Sequence, residues 1–173
     1  MPNRLIHGGE IALSGVILPD AYVDSEEAGA FSPELVRNAL VQFSGDVTIW
    51  VNSPGGDPVS GEAIRVLMSV HPGDVTVRIA GDAASAASLM IMGATRIEMS
   101  AGSVLMIHDP STMTFGDVAE HQRQLDHLET LAGVYAQVYA DRSGKPVAEV
   151  REMMRATVWM GPEDAIAAGF AEA

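Results

Sequence analysis

Ser85 stands in the run Gly81-Asp82-Ala83-Ala84-Ser85-Ala86-Ala87-Ser88, where almost every side chain is tiny. Such a run frees a tight backbone turn and leaves one hydroxyl where a strand gives way to a helix. Upstream lies Val51-Asn52-Ser53-Pro54-Gly55-Gly56, and downstream lies Met106-Ile107-His108-Asp109-Pro110. Paired glycines, a hydroxyl and an imidazole, in that order, are the parts of serine acyl chemistry. Adjacent glycines allow positive φ and leave backbone N–H groups uncovered, and such donors can hold the oxyanion of a tetrahedral intermediate. Losing one typically costs about 2.7–4 kcal/mol of transition-state stabilisation. The N–H of Ala86, next to the hydroxyl and at the positive end of a helix, is the natural second donor. Imidazole is the usual base for a serine hydroxyl because its pKa lies near working pH.

Each piece also has an ordinary structural explanation. Pro54-Gly55-Gly56 reads equally as a plain strand-to-helix turn. Ser85 reads as an N-cap, worth about 1 kcal/mol. His108 reads as a structural histidine at a strand end. The catalytic reading stands on the three together. His7, His71, His121 and His127 read as solvated. His121 and His127 are six apart on one expected helix, a poor spacing for sharing a metal. No metal site and no cofactor is expected.

The elements that must carry these groups follow from pattern. Strands are expected over 5–6 and 11–18, then a polar, acidic loop over 20–30. Ser32-Pro33-Glu34 is a helix start: a capping hydroxyl, proline in the first turn and an acid facing the dipole. That helix should run to about Phe43. Residues 46–51 alternate and are β-branched, a strand ending in a turn at Ser53-Pro54-Gly55-Gly56. A helix over 57–70 should face Ile64, Leu67 and Met68 inward. Strands follow over 75–80, 95–99 and 104–107, with the Ser85 helix after the first of them. A long helix is expected over 116–141, with Leu125, Leu128, Leu131, Val134, Tyr135 and Val138 on one face. Two shorter helices, one ending near Met154 and one over 162–168, close the chain. Strands alternating with helices point to an α/β fold with parallel pairing.

Bulk properties narrow the function. At 173 residues the chain reads as one domain, 1–173, long enough for a real core. The absence of cysteine excludes disulfides, thiolate catalysis and cysteine-ligated zinc. Ten basic residues against 23 acidic ones give a net charge of −13, which repels phosphate backbones and anionic lipids. Nucleic acid and membrane are therefore not expected partners. No apolar run approaches the ~18 residues of a bilayer span, and the first residues lack the apolar core of a signal peptide. A cytoplasmic location is expected.

In order and spacing these pieces resemble the ClpP family of self-compartmentalising serine proteases, with the ClpP-like head-maturation (prohead) proteases of tailed bacteriophages and prophages most similar. The likeness runs through 51–56, Gly61-Glu62-Ala63-Ile64, 81–88, 106–110, 142–145 and the closing Glu163-Asp164-Ala165-Ile166-Ala167-Ala168-Gly169-Phe170. It implies the ClpP/crotonase superhelix of repeated β-β-α units, with 116–141 as a protruding helix that packs on other subunits. It also implies ring-shaped homo-oligomers, and it makes Ser85 the nucleophile, His108 the general base, and Gly56 and Ala86 the oxyanion donors. A substrate strand would pair with backbone at Gly55 and in the segment from Asp109 onward, through main-chain hydrogen bonds. Scaffold and capsid proteins are the implied substrates in a phage setting, within the host cytoplasm. Unfolded chains fed by an ATPase partner are the implied substrates in a host setting.

One position departs from the family. Aligned on Trp159-Met160-Gly161-Pro162, Thr157 occupies the place of the third triad member, normally an acid, and Glu152, Glu163 and Asp164 are out of register. The acid orients the imidazole and stabilises its charged form, and its amide replacement in a well-studied triad costs about 10⁴ in rate. Three outcomes stay open: a slower Ser–His–Thr enzyme, an acid recruited from elsewhere, or a catalytically inactive ring or assembly protein. An acyl-CoA hydratase or isomerase of the crotonase type is a further alternative, disfavoured because Ser85 and His108 replace its glutamates.

Overall fold

Residues 3–23 and 29–172 are described by the computed structural model. In chain order the elements begin with β1 (Ile6–His7), β2 (Glu10–Ile17), β3 (Ala30–Phe31) and α1 (Pro33–Leu40). Next come β4 (Val47–Gly56), α2 (Pro58–Ser69), β5 (Val75–Ala84), α3 (Ala86–Ile91), β6 (Arg96–Met99) and β7 (Val104–Ile107). The chain closes with α4 (Val118–Ser143), α5 (Val147–Ala156), β8 (Val158–Met160) and α6 (Pro162–Ala167). Of the expected acidic loop over 20–30, a short 3-10 turn at Asp20–Tyr22 and the start of β3 are seen, and 24–28 lie outside the described residues.

The strands form one mixed sheet in the order β1-β2-β4-β5-β7-β8, with β3 beside β2 and β6 beside β5. The β2, β4 and β5 ladders are parallel, as the strand–helix alternation requires. β5 changes partner along its length: Thr76–Ile79 pairs with β6, whereas Asp82–Ala84 pairs with β7. Register shifts fall between Ser14 and Val16 on β2 and between Val51 and Ser53 on β4, so the ladders bend at one level. Ile11, Leu13, Ile49, Val51, Val77 and Ile79 are fully buried, against Val36 of α1, Ile64 of α2 and Leu89 and Met90 of α3.

Side chains cap the starts of α1, α2 and α4. Ser32 caps α1 by accepting from the N–H of Leu35, and Asp57 caps α2 by accepting from the N–H of Ser60. The expected mixed α/β architecture and long helix are both present.

Three expectations need correction. The turn expected at 53–56 is instead the end of β4, because Gly55 and Gly56 pair with Val16 and Ile17 of β2. A Cβ on Gly56 would lie 2.0 Å from the Ile17 carbonyl oxygen, so glycine is what allows that pairing. β5 likewise continues through the small residues 81–84. On α4 the buried face is Ala132, Tyr135, Ala136, Tyr139 and Ala140, while Leu125 and Val134 are exposed. Small alanines let the second half of the helix approach the core closely; of the face read from periodicity, Tyr135 is buried and Leu131 and Val138 pack half-buried against the core. The antiparallel strand β8, paired with β7, was not expected at all. No helix among the described residues is long and apolar enough to cross a membrane.

Candidate active site

Ser85 sits between the end of β5 and the start of α3 with φ 56° and ψ −126°, a conformation rarely held by a residue with a Cβ. Holding it costs on the order of 1–3 kcal/mol, and such strain persists only where the surroundings over-determine it. Here the Ser85 N–H donates to the Met106 carbonyl at 3.0 Å, anchoring the turn to β7. The side chain makes no capping hydrogen bond to α3. The N-cap explanation for this hydroxyl therefore does not hold, and the hydroxyl is directed elsewhere.

It meets the imidazole. Ser85 Oγ and His108 Nε2 are 2.7 Å apart. With the ring neutral and its proton on Nδ1, Ser85 O–H donates to Nε2, the arrangement in which imidazole takes a proton from a nucleophile. His108 follows the last residue of β7, so the Asp82–Ala84 pairing to β7 brings the two groups together across 23 residues of chain. Burial pushes the His108 imidazole below its ordinary value, and the nearby Asp109 carboxylate partly offsets this.

Gly55 and Gly56 flank the same turn. A Cβ on Gly55 would lie 2.6 Å from the Ala84 carbonyl oxygen and 2.9 Å from the Ala86 nitrogen. Only glycine lets the end of β4 come this close to the serine turn. The Gly55 N–H is taken locally by Ser53 Oγ at 3.1 Å, whereas Gly56 is exposed. The N–H of Ala86 belongs to the first turn of α3, where helical N–H groups have no partner within the helix. Pro58, Leu89, His108, Pro110, Tyr135 and Tyr139 close a narrow cleft around Ser85 and Ala86, with a cavity of about 20 Å³. That is room for roughly one water.

Asp109 and Thr157 occupy different roles from the central pair. The Asp109 N–H donates to the Met154 carbonyl at 3.2 Å, and its carboxylate accepts from Arg151. Arg151 also donates to both carboxylate oxygens of Glu129 at 3.1 Å, so the segment after His108 is pinned to α5 and α4. Thr157 ends α5 in the left-handed region (φ 54°, ψ 71°) and is exposed. The β7–β8 ladder ends at the Ile107–Val158 pair, so His108 and Thr157 are the two residues that adjoin its last rung. No hydrogen bond joins them among the described residues.

Sequence reasoning missed Leu89, Pro58, Tyr135 and Tyr139 in the cleft wall and Arg151 behind it. Of the histidines expected to be solvated, His71 has a partner, its Nε2 lying 2.8 Å from the Gly45 carbonyl oxygen. Ser88 lies one helical turn after the nucleophile candidate, a spacing legible in the sequence. Tyr139, 51 residues from Ser88 in sequence, has no such signal.

Comparison with known proteins follows the same lines. The sequence model of the Clp protease family matches residues 10–173. The chain is 30% identical over 168 residues to the ATP-dependent Clp protease proteolytic subunit 3 of Rhodococcus jostii (strain RHA1), covering 95% of this chain and 80% of that one. It is 30% identical over 153 residues to the corresponding subunit of Nymphaea alba, covering 87% and 76%. With subunit 1 of Chlamydia felis (strain Fe/C-56) it shares 33% identity over 126 residues, covering 72% of this chain and 62%, less than two thirds, of the relative.

Proposed function

The chain belongs to the Clp protease family, and from that premise we propose that it is a serine endopeptidase whose nucleophile is Ser85 and whose general base is His108. The observation that carries the reading is the 2.7 Å Oγ–Nε2 contact at a strained turn beside a glycine-lined strand end. His108 Nε2 takes the Ser85 proton as Oγ attacks the peptide carbonyl. The oxyanion is held by the N–H groups of Gly56 and Ala86. His108 then protonates the leaving amine, the C–N bond breaks, and water attacks the acyl-Ser85 ester with His108 again as base. The test is intact-mass spectrometry after exposure to a fluorophosphonate. One adduct located on Ser85 is expected, and an unmodified chain would defeat the proposal.

Substrate strands dock, in this proposal, by main-chain hydrogen bonds near Gly55–Gly56 and along the segment from Asp109 onward, through groups other than the Gly55 and Asp109 N–H, which Ser53 Oγ and the Met154 carbonyl already engage. Two substrate settings suit the same chemistry. Scaffold and capsid proteins during phage head assembly rest on the sequence resemblance alone. Unfolded chains handed over by an ATPase are favoured by the names of the relatives, which are ATP-dependent proteolytic subunits. The chain 1–173 acts as one protease domain in either setting.

A homo-oligomeric ring is part of the proposal. Met113, Phe115, Val118 and Leu125, on the segment entering α4 and on its first turns, are all largely exposed. Four large apolar side chains in one stretch form a surface that a second copy would cover. Sedimentation velocity at micromolar concentration should show an assembly of several subunits, and a monomer throughout would refute it.

The pH dependence follows from the imidazole. His108 must be neutral to act as base, so the acid limb of kcat/KM reports its pKa in the free enzyme. Since burial lowers that pKa, the limb is expected below pH ~6.5, the ordinary histidine value. The stability linkage has a definite sign. On acidification the unfolded chain takes up the proton first, so stability falls as pH drops through about 6.5, and the loss levels off below the folded-state pKa. A limb above the ordinary value, in a pH profile of peptide hydrolysis, would contradict this.

A further inference from the structure

The carbonyl oxygen of Ser85 is held by three donors. The N–H of Ser88 reaches it at 3.0 Å, the N–H of Leu89 at 3.2 Å and the hydroxyl of Ser88 at 2.7 Å. The two N–H groups are what any helix start provides, and the hydroxyl is an addition. Ser88 Oγ also lies 2.8 Å from the hydroxyl of Tyr139. A serine hydroxyl has one proton, and that of Ser88 is committed to the Ser85 carbonyl, so Tyr139 is the donor in this second contact. A directed chain results, from Tyr139 O–H to Ser88 Oγ and from Ser88 O–H to the Ser85 carbonyl. Ser88 and Tyr139 are both buried, and Tyr139 comes from α4. Burial pushes the Tyr139 phenol far above its ordinary value, so it remains a donor at any working pH.

The consequence lies on the other side of the same peptide unit. The peptide group is planar and trans, so the Ser85 carbonyl and the Ala86 N–H point in opposite directions. Anchoring the oxygen toward Ser88 aims the Ala86 N–H the other way, toward the cleft beside Ser85 Oγ. The strained φ and ψ of Ser85 require such anchoring.

We propose that Ser88 and Tyr139 are positioning residues for the oxyanion hole, locking the Ser85–Ala86 peptide plane so that the Ala86 N–H faces the developing oxyanion, and tying that plane to α4. This rests on the reading of Ser85 as nucleophile and Ala86 as oxyanion donor. Through Tyr139, displacement of α4 would reach the oxyanion hole without touching substrate.

Tyr139→Phe tests it cleanly, because the Tyr139 ring is held independently by an edge-on contact with Phe170 at 6.0 Å. Only the hydroxyl is removed. Ser88→Ala is the second variant, which keeps the test open should the first fold poorly. Each is assayed for kcat and KM on one fluorogenic peptide, for affinity toward a peptide boronic acid that forms a tetrahedral serine adduct, and for Tm. Full loss of an oxyanion donor lowers kcat by about 10²–10³, and loosening one should cost about 10-fold in kcat and in boronate affinity, with KM within about twofold. The double variant should be no slower than Ser88→Ala, because Tyr139 acts through Ser88. Unchanged kcat in both variants, a change in KM and Tm alone, or additive losses would overturn the proposal while leaving the Ser85 reading intact. Failure of the native chain to form a fluorophosphonate adduct would overturn both.

Discussion

Ser85→Ala is expected to abolish the fluorophosphonate adduct and to lower peptide hydrolysis by more than about 10³-fold, the scale on which loss of a triad nucleophile is felt. The substitution removes the oxygen that lies 2.7 Å from His108 Nε2 and leaves the turn unchanged. Ser85→Gly should be equally inactive but more stable than Ser85→Ala. Alanine keeps the Cβ that makes φ 56° costly, whereas glycine adopts positive φ readily. The stability gap between the two variants should be roughly 1–2 kcal/mol, read from urea denaturation. Residual hydrolysis in both variants close to that of the native chain would show that the bond is broken elsewhere. Equal stability would show that the turn is relaxed, and the argument for a strained nucleophile would fall with it.

Thr157→Asp should act in the opposite direction, raising kcat/KM by on the order of 10²-fold. His108 and Thr157 adjoin the last rung of the β7–β8 ladder, Ile107–Val158, and a carboxylate there would stabilise the imidazolium formed during attack. Threonine supplies no negative charge. It is also a poor fit to its backbone, since a β-branched residue at φ 54° is strained, while aspartate and asparagine tolerate the left-handed region. Thr157→Asn is therefore the control that relieves the same strain without charge. The aspartate variant should also move the acid limb of the pH profile upward, because an added negative charge raises the pKa of His108. If the asparagine and aspartate variants behave alike in rate and in pH profile, Thr157 does not stand in the place of a triad acid.

Ser85 and His108, the pair that the structure brings together, were both legible in the sequence, for a physical reason. A nucleophile and its base must be of particular chemical types, and the small residues around Ser85 betray a backbone turn that bulkier side chains would forbid. The positions of Gly55 and Gly56 were legible too, but their secondary structure was not. Glycine has little intrinsic preference for a strand, and β4 runs through both residues because β2 pairs with them and Ile17 needs the empty space. Periodicity found only part of the inner face of α4: Tyr135, Leu131 and Val138 meet the core, but Ala132, Ala136, Tyr139 and Ala140, which complete that face, carry no aliphatic signal.

What the chain alone determined is the inventory: a hydroxyl, an imidazole, two glycines, no thiol, and a threonine at the position where the family resemblance implies an acid. These are properties of residue type and order, and no folding is needed to know them. What only the tertiary structure decided is which groups touch. The 2.7 Å contact of Ser85 with His108, the Arg151 pin behind Asp109 and the Tyr139–Ser88 hydrogen bond each join residues 23 to 51 positions apart. Such contacts arise from β5 changing partner to β7 and from α4 docking through its alanines. Local propensity contains neither event, because both are selected by the packing of the whole core.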